Sequence, residues 1–198
     1  MRSGHADTQL ETLVSRSREG DRDAFAALVE HSHGTVYRLV LRTLADAAEA
    51  EDVVQETYIR AWRALPRLRD PGAVIGWLCR IARHAALDRA RQRKRRPIPS
   101  SDEQVLGGAM RELVAAEDPR AAAESAELRQ LLMATIASLD EKYRVVFLLR
   151  EVDGMSYEAI AQALGCPVGT VESRLHRARH KLAAKLTRAM RTHEREVT

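Results

Sequence analysis

The chain predicts an all-α protein: two small helical domains joined by a flexible acidic linker. Three observations predict it. Apolar residues recur at three- and four-residue spacing through most of the sequence, and strand-like alternation is absent. Ala, Leu and Arg are abundant while aromatics make up only 4% of the 198 residues, a composition that favours helix. Charge is segregated along the chain, basic then acidic then basic, and with the proline break at Pro97 and the apolar period that resumes near Glu127 it gives boundaries at 1–96, 97–126 and 127–198.

The formal net charge of +4 conceals that segregation. From Trp77 to Arg96 eight Lys and Arg face Asp88 alone, whereas from Pro97 to Glu141 nine acids outnumber three Arg. From Cys166 to Arg195 eight bases again exceed two acids. Two basic modules held apart in this way suit nucleic acid gripped at two places, with affinity that falls as salt rises. Cys79 and Cys166 lie far apart without metal-ligand spacing, so they read as free thiols in a reducing cytoplasm. No cofactor, metal site or small-molecule substrate is expected. Without a membrane-length apolar run or a signal-peptide core, direct membrane insertion is excluded and a cytoplasmic protein is expected.

Taken in order, Met1 to Thr8 read as frayed and a short helix follows from Gln9 to Arg18, ended by Gly20–Asp21. Phe25, Leu28, Val29, Val36, Leu39, Val40 and Leu44 then keep helical spacing, the material of a core. The next helix carries two stripes. Val53, Val54, Thr57, Tyr58, Ala61, Trp62 and Leu65 form a buried one, while Asp52, Gln55, Glu56, Ile59 and Arg63 form another at the same period. An acidic and polar stripe around an outward Ile suits docking on a basic partner helix, and a salt-laced solvent face is the plain alternative.

A loop from Pro66 to Gly72 holds Arg67 and Arg69, and Val74–Ile75–Gly76–Trp77 leads into a long helix. Trp77, Leu78, Ile81, Ala82 and Ala85 can pack inward, leaving Arg80, Arg83 and His84 outside; Trp77 either fills the core or stacks on a base. The helix ends in Arg89, Arg91, Arg93, Lys94, Arg95 and Arg96, a phosphate track if nucleic acid is the partner and a solvated tail otherwise. Pro97 and Pro99 stop it. The stretch that follows is rich in Ser, Gly, Ala, Asp and Glu and reads as linker.

Past Glu127, Leu128, Leu131, Leu132, Thr135, Ile136 and Leu139 share a helix face, and Val145, Val146, Leu148, Leu149 and Val152 most of the next. Ser156 suits an N-cap and Gly165 a left-handed helix end, with Pro167 in the first turn of the helix beyond. There Val168, Val171, Leu175, Ala178 and Leu182 form one seam, with Ser173, His176, Arg177 and His180 opposite and Thr170 and Arg174 at its edge. This is a helix-turn-helix whose second helix can lie in a major groove, Arg forking onto guanine and Ser or Thr bonding to bases or phosphate. The basic tail to Thr198 is expected to fray.

DVVQETYIRAW, then GWLCRIARHAALDRARQRKRR, an acidic linker and LREVDGMSYEAIAQALGCPVGTVESRLHRARHKL stand in the order found in extracytoplasmic-function sigma factors of bacterial RNA polymerase, of the sigma-70 family. The chain resembles their RpoE-like branch, chiefly through CPVGTV and SYEAIA. The resemblance implies an initiation factor without catalysis. Its sigma-2-like domain would dock through Asp52, Gln55, Glu56 and Ile59 on the clamp helices of the polymerase β′ subunit. Arg67, Arg69, Ile75, Trp77, Arg80, Arg83, His84 and Arg91 would capture the minus-ten element. Its sigma-4-like domain would set Thr170, Ser173, Arg174, His176, Arg177 and His180 against the minus-thirty-five element and touch the β flap. An anti-sigma factor, held at the membrane in some systems, would restrain it. His84, Glu172 and His176 depart from the branch's pattern, and the end at Thr198 implies no appended sensor domain. A stand-alone helix-turn-helix regulator, binding duplex without polymerase, is the competing reading. A DNA-processing enzyme would need a nucleophile or metal-spaced carboxylates beside the basic patch, and Asp46, Glu49, Glu51, Asp52 and Glu56 read better as a solvated or partner-facing surface.

Overall fold

The structure, a computed structural model, describes residues 3–95 and 130–196, with side chains from Thr8 to Arg93 and from Gln130 to Arg188. Every regular element among them is helical: α1 (Ser3–Arg18), α2 (Arg22–Leu44), α3 (Ala47–Ala64), α4 (Val74–Arg95), α5 (130–137), α6 (Glu141–Glu151), α7 (Tyr157–Leu164) and α8 (Val168–Glu196). Single 3-10 turns at Leu65–Arg67 and Pro71–Ala73 lie between α3 and α4. Backbone proximity divides the chain into two units, Met1–Val105 with Glu158–Cys166, and Leu106–Tyr157 with Pro167–Thr198. The acidic linker expected at 97–126 and the start of the helix expected from Glu127 lie outside the described residues.

In the first unit α2 packs against α1, α3 and α4, and α3 packs against α4. The apolar period explains why: Leu28, Val36, Leu39, Val40 and Leu44 of α2 are buried, as are Val53, Ala61, Leu78, Ala82 and Ala86 around them. Asp21 starts α2, its Oδ1 accepting from the Asp23 and Ala24 amides at 3.0 Å each, while Oδ2 meets Arg16 at 2.7 Å. Backbone donation from Ala24, then Arg16, holds its carboxyl below the usual range. Asp46 caps α3 in the same manner, accepting from the Glu49 amide at 3.0 Å.

In the second unit α6 packs on α8, and Ile136, Leu139, Tyr143, Leu148, Ala178 and Leu182 form a shared core. Polar ties line its rim. Arg179 meets Glu151 at 2.6 Å, Lys181 meets Asp140 at 2.7 Å, and Lys185 donates to Ser138 Oγ at 2.6 Å. Arg144 closes the end of α5 by donating to the Ala137 carbonyl at 2.8 Å.

Two expectations are corrected. The first helix begins at Ser3, not Gln9: no proline interrupts the residues before Gln9, and the helix runs through them although Ser3, Gly4, Asp7 and Thr8 are weak helix formers. The basic tail does not fray after the recognition segment: α8 is helical to Glu196, since beyond Gly169 the sequence holds neither glycine nor proline.

Candidate nucleic-acid and polymerase interfaces

The helix-turn-helix corner is built by backbone conformation. Gly165 has φ +64°, and the Cys166 amide reaches back to the Ala161 carbonyl at 3.0 Å while the Gly165 amide meets Gln162 at 3.3 Å. That pair of bonds is the Schellman closure which a left-handed glycine permits. Pro167 stands just before α8 instead of inside its first turn, and its carbonyl accepts from Thr170 at 2.9 Å. The orphan donors of α8 are therefore met in part by main chain.

From this start α8 turns Val171, Leu175, Ala178 and Leu182 into the core and leaves Ser173, His176, Arg177 and His180 exposed, with Thr170 and Arg174 half-buried at the edge. The exposed set lies opposite the seam, as its spacing requires. Ser173 donates to the Thr170 carbonyl at 3.0 Å, an internal bond that must be exchanged if the hydroxyl is to donate to DNA. On α6, the Tyr143 phenol is held below its ordinary range by Arg177 and the positive charge around it.

In the first unit Leu65 and Leu68 are buried and pin the turn that presents Arg67 and Arg69 to solvent. Asp70 then accepts from the Gly72 amide at 3.0 Å and leads into α4. Leu78, Cys79, Ala82, Ala85 and Ala86 of that helix face inward. Arg80, His84 and Arg91 recur at helical spacing on the exposed side, and Ile75, Trp77 and Arg83 are half-buried. The basic run is not uniform. Arg91 pairs with Asp88 at 3.1 Å, whereas Arg93 donates to the Leu44 carbonyl at 3.1 Å and lies 3.7 Å from Glu49, closing the end of α2. Arg96 lies outside the described residues, and so do the side chains of Lys94 and Arg95.

On α3, Val53, Val54, Thr57, Tyr58 and Ala61 are buried, while Asp52, Gln55 and Ile59 are exposed and Glu56 is half-buried, bonded to Arg60 at 2.6 Å. Ile59 is 47% exposed, and beside it Phe25, Val29, Tyr58 and Trp62 line a shallow apolar groove. Phe25 meets Trp62 edge to face with centroids 4.9 Å apart. Helical spacing marks Ile59 and the acidic residues of its stripe but not the groove, because that depends on which face of α2 lies alongside α3. Among the described residues no group of three or more His, Cys, Asp and Glu is placed to hold a metal ion, and no helix is long and apolar enough to cross a membrane.

Two helical units, one presenting a basic loop and helix and the other a long helix with an exposed polar face after a tight corner, define a helix-turn-helix DNA-binding protein. Its residues 28–96 match the sigma-70 region 2 family model, and 129–182 match sigma-70 region 4. It is 42% identical over 183 residues to the ECF RNA polymerase sigma-E factor of Salmonella typhimurium, covering 89% of this chain and 93% of that one. Among solved structures it is similar to CnrH in complex with the cytosolic domain of CnrY, at 29% identity and TM-score 0.59 over 90% of this chain and 97% of that one. The sigma factor RpoE bound to the anti-sigma factor NepR from Bartonella quintana shares the fold at 22% identity and TM-score 0.58, over 82% of this chain and 96% of that one. The chain belongs to the ECF RNA polymerase sigma factors, of the sigma-E type.

Proposed function

We propose that this sigma factor binds core RNA polymerase through the outward face of α3, captures the minus-ten element with the Arg67-to-Ile75 turn and α4, and reads the minus-thirty-five element with α8. The observation that carries the docking site is Ile59, 47% exposed on a helix that buries Val53, Val54 and Tyr58, with Gln55 exposed one turn before it and Asp52 two turns before it. An exposed apolar residue bordered by a groove, with Gln55, Glu56 and Asp52 along the same helix face, suits a basic amphipathic helix, as the β′ clamp helices would supply. Support for the α8 reading is the exposure of Ser173, His176, Arg177 and His180 on one side of a helix that buries the other.

Opening DNA requires unstacking, and a site for an extruded base offsets part of that cost in a sequence-dependent way. Arg67, Arg69, Arg80 and Arg83 would track the phosphates around such a site, with Ile75 and Trp77 at its wall. The second domain leaves its DNA paired. Separate domains at 1–96 and 127–198 make the second contact effectively intramolecular once polymerase fixes their spacing. An anti-sigma factor would hold the protein inactive in the cytoplasm, as its family membership implies.

Run-off transcription with purified core polymerase on a genomic fragment library tests the whole assignment and yields the promoter motif. Initiation at a discrete promoter set is the expected result. Failure to initiate on any template, together with tight duplex binding by the protein alone, overturns it. Replacing both Asp52 and Glu56 by Lys should lower core-polymerase affinity by at least about tenfold; a fluorescence titration showing full affinity rejects the α3 face.

A further inference from the structure

Glu172 is the only acid of α8 before Glu194, set in a helix whose other charged residues up to that point are all basic. It is exposed, and among the described residues it has neither a hydrogen bond nor an ion pair. Three ordinary uses of a helical glutamate are closed to it. The first turn of α8 holds no acid, and Glu172 lies beyond the orphan amides, so it neither caps the helix nor meets much of its dipole. No Lys or Arg stands three or four residues away on either side. The cations further along are engaged elsewhere: Arg179 with Glu151 at 2.6 Å, Lys181 with Asp140 at 2.7 Å, and Lys185 with Ser138 Oγ at 2.6 Å.

A carboxylate on a helix that approaches a polyanion is costly, because every phosphate repels it. In projection Glu172 lies roughly 40° from the exposed His176, one turn on, so it shares a flank of the polar face. The base edges of the major groove sort what it can meet there. Guanine shows N7 and O6 and thymine shows O4, all acceptors, while adenine sets its N7 acceptor beside its N6 donor; cytosine shows the N4 amino donor alone. An ionised carboxylate only accepts, so cytosine is the one base that it matches without a facing acceptor.

We propose that Glu172 is a specificity-determining residue: its carboxylate accepts from the N4 amino group of one cytosine in the minus-thirty-five element and rejects the other bases at that position. This rests on α8 reading that element. Rejection carries as much of the effect as acceptance, since a carboxylate that enters the groove without a donor gives up its water and gains nothing. The acid therefore lowers affinity for most sequences and sharpens the contrast for one.

The test uses holoenzyme and a promoter library randomised across the minus-thirty-five element, with wild type, Glu172→Ala, Glu172→Gln and Arg177→Ala. At one position wild type should favour cytosine by roughly tenfold, a preference that Glu172→Ala lowers to about twofold or less. Glu172→Gln should move the preference at that same position to adenine, because an amide pairs with N6 and N7 together. Preferences at the remaining positions should stay as in wild type, and thermal unfolding of the free protein should not change, since the side chain has no partner to lose. A uniform gain in promoter affinity for Glu172→Ala with every base preference intact overturns the proposal, because the charge would then only repel phosphate. Arg177→Ala separates that failure from a failure of the underlying reading. If it alters base preference while the Glu172 variants do not, the Glu172 assignment alone falls; if none of the three alters it, α8 does not read the element.

Discussion

Tyr58 shows how one side chain can serve a core and a polar bond together. It is 8% exposed, and its hydroxyl shares a 2.9 Å hydrogen bond with Ser32, which also donates to the Leu28 carbonyl at 2.7 Å. Burial pushes the phenol up to about 12 from 10.0, the Ser32 bond opposing part of the rise. An unfolded chain releases that proton near its ordinary value while the folded one keeps it, so above that value the folded state binds more protons and stability falls as pH rises. Tyr58→Phe should cost about 1 kcal/mol at neutral pH from the lost bond, yet flatten the alkaline decline, which chemical denaturation at several pH values would measure. An alkaline decline as steep as that of wild type would refute the assignment. Tyr58 was legible as a buried position from its spacing with Val54 and Ala61. Its partner was not, because a serine among apolar residues of another helix has no periodic mark. Arg93 illustrates the converse: sequence places it in a phosphate track, but its guanidinium closes α2 at the Leu44 carbonyl, 3.1 Å away.

At the scale of elements, helix ends decide how the interfaces are presented. Among the helix ends with a left-handed residue, two use different residue types: Gly165 at φ +64° after α7, and Ala45 at φ 55° after α2. At Gly165 an added Cβ would meet nothing within 4 Å, so an alanine there suffers backbone strain alone. Gly165→Ala should therefore destabilise by about 1 kcal/mol, and Ala45→Gly should stabilise by a similar amount, since its amide bond to Leu41 at 2.8 Å needs no side chain. Calorimetry on both variants checks the opposite signs, and equal signs would show that something beyond backbone conformation governs these ends. Gly165 announced the corner in the sequence; Ala45 announced nothing, because alanine ordinarily continues a helix. Helix interiors were legible for the same reason that α8 was: Val171, Leu175, Ala178 and Leu182 keep one period with no competing stripe. Its length was not, because a solvated run of Lys, Arg and Ala reads equally as frayed tail or continued helix.

For the molecule as a whole, the distribution of charge was the clearest signal in the sequence, but sequence could not sort structural cations from available ones. In the second unit Arg179 and Lys181 hold Glu151 and Asp140 at 2.6 and 2.7 Å, and in the first Arg93 holds α2. Among the described residues no carboxylate pairs with Arg67, Arg69, Arg80 or Arg83, so these can neutralise phosphate without first giving up a partner. Each phosphate contact releases condensed counterion, and the slope of log affinity against log salt counts such contacts. Replacing Arg67, Arg69 or Arg80 by Ala in the holoenzyme should reduce that slope by about 1 each on promoter DNA. Arg93→Ala should leave the slope intact while lowering thermal stability, because what it loses is a helix closure. Measuring both quantities on the four variants separates the two classes of cation. Equal slopes for wild type and Arg80→Ala, or a reduced slope for Arg93→Ala, would mean that the basic face of α4 is arranged differently when DNA is bound.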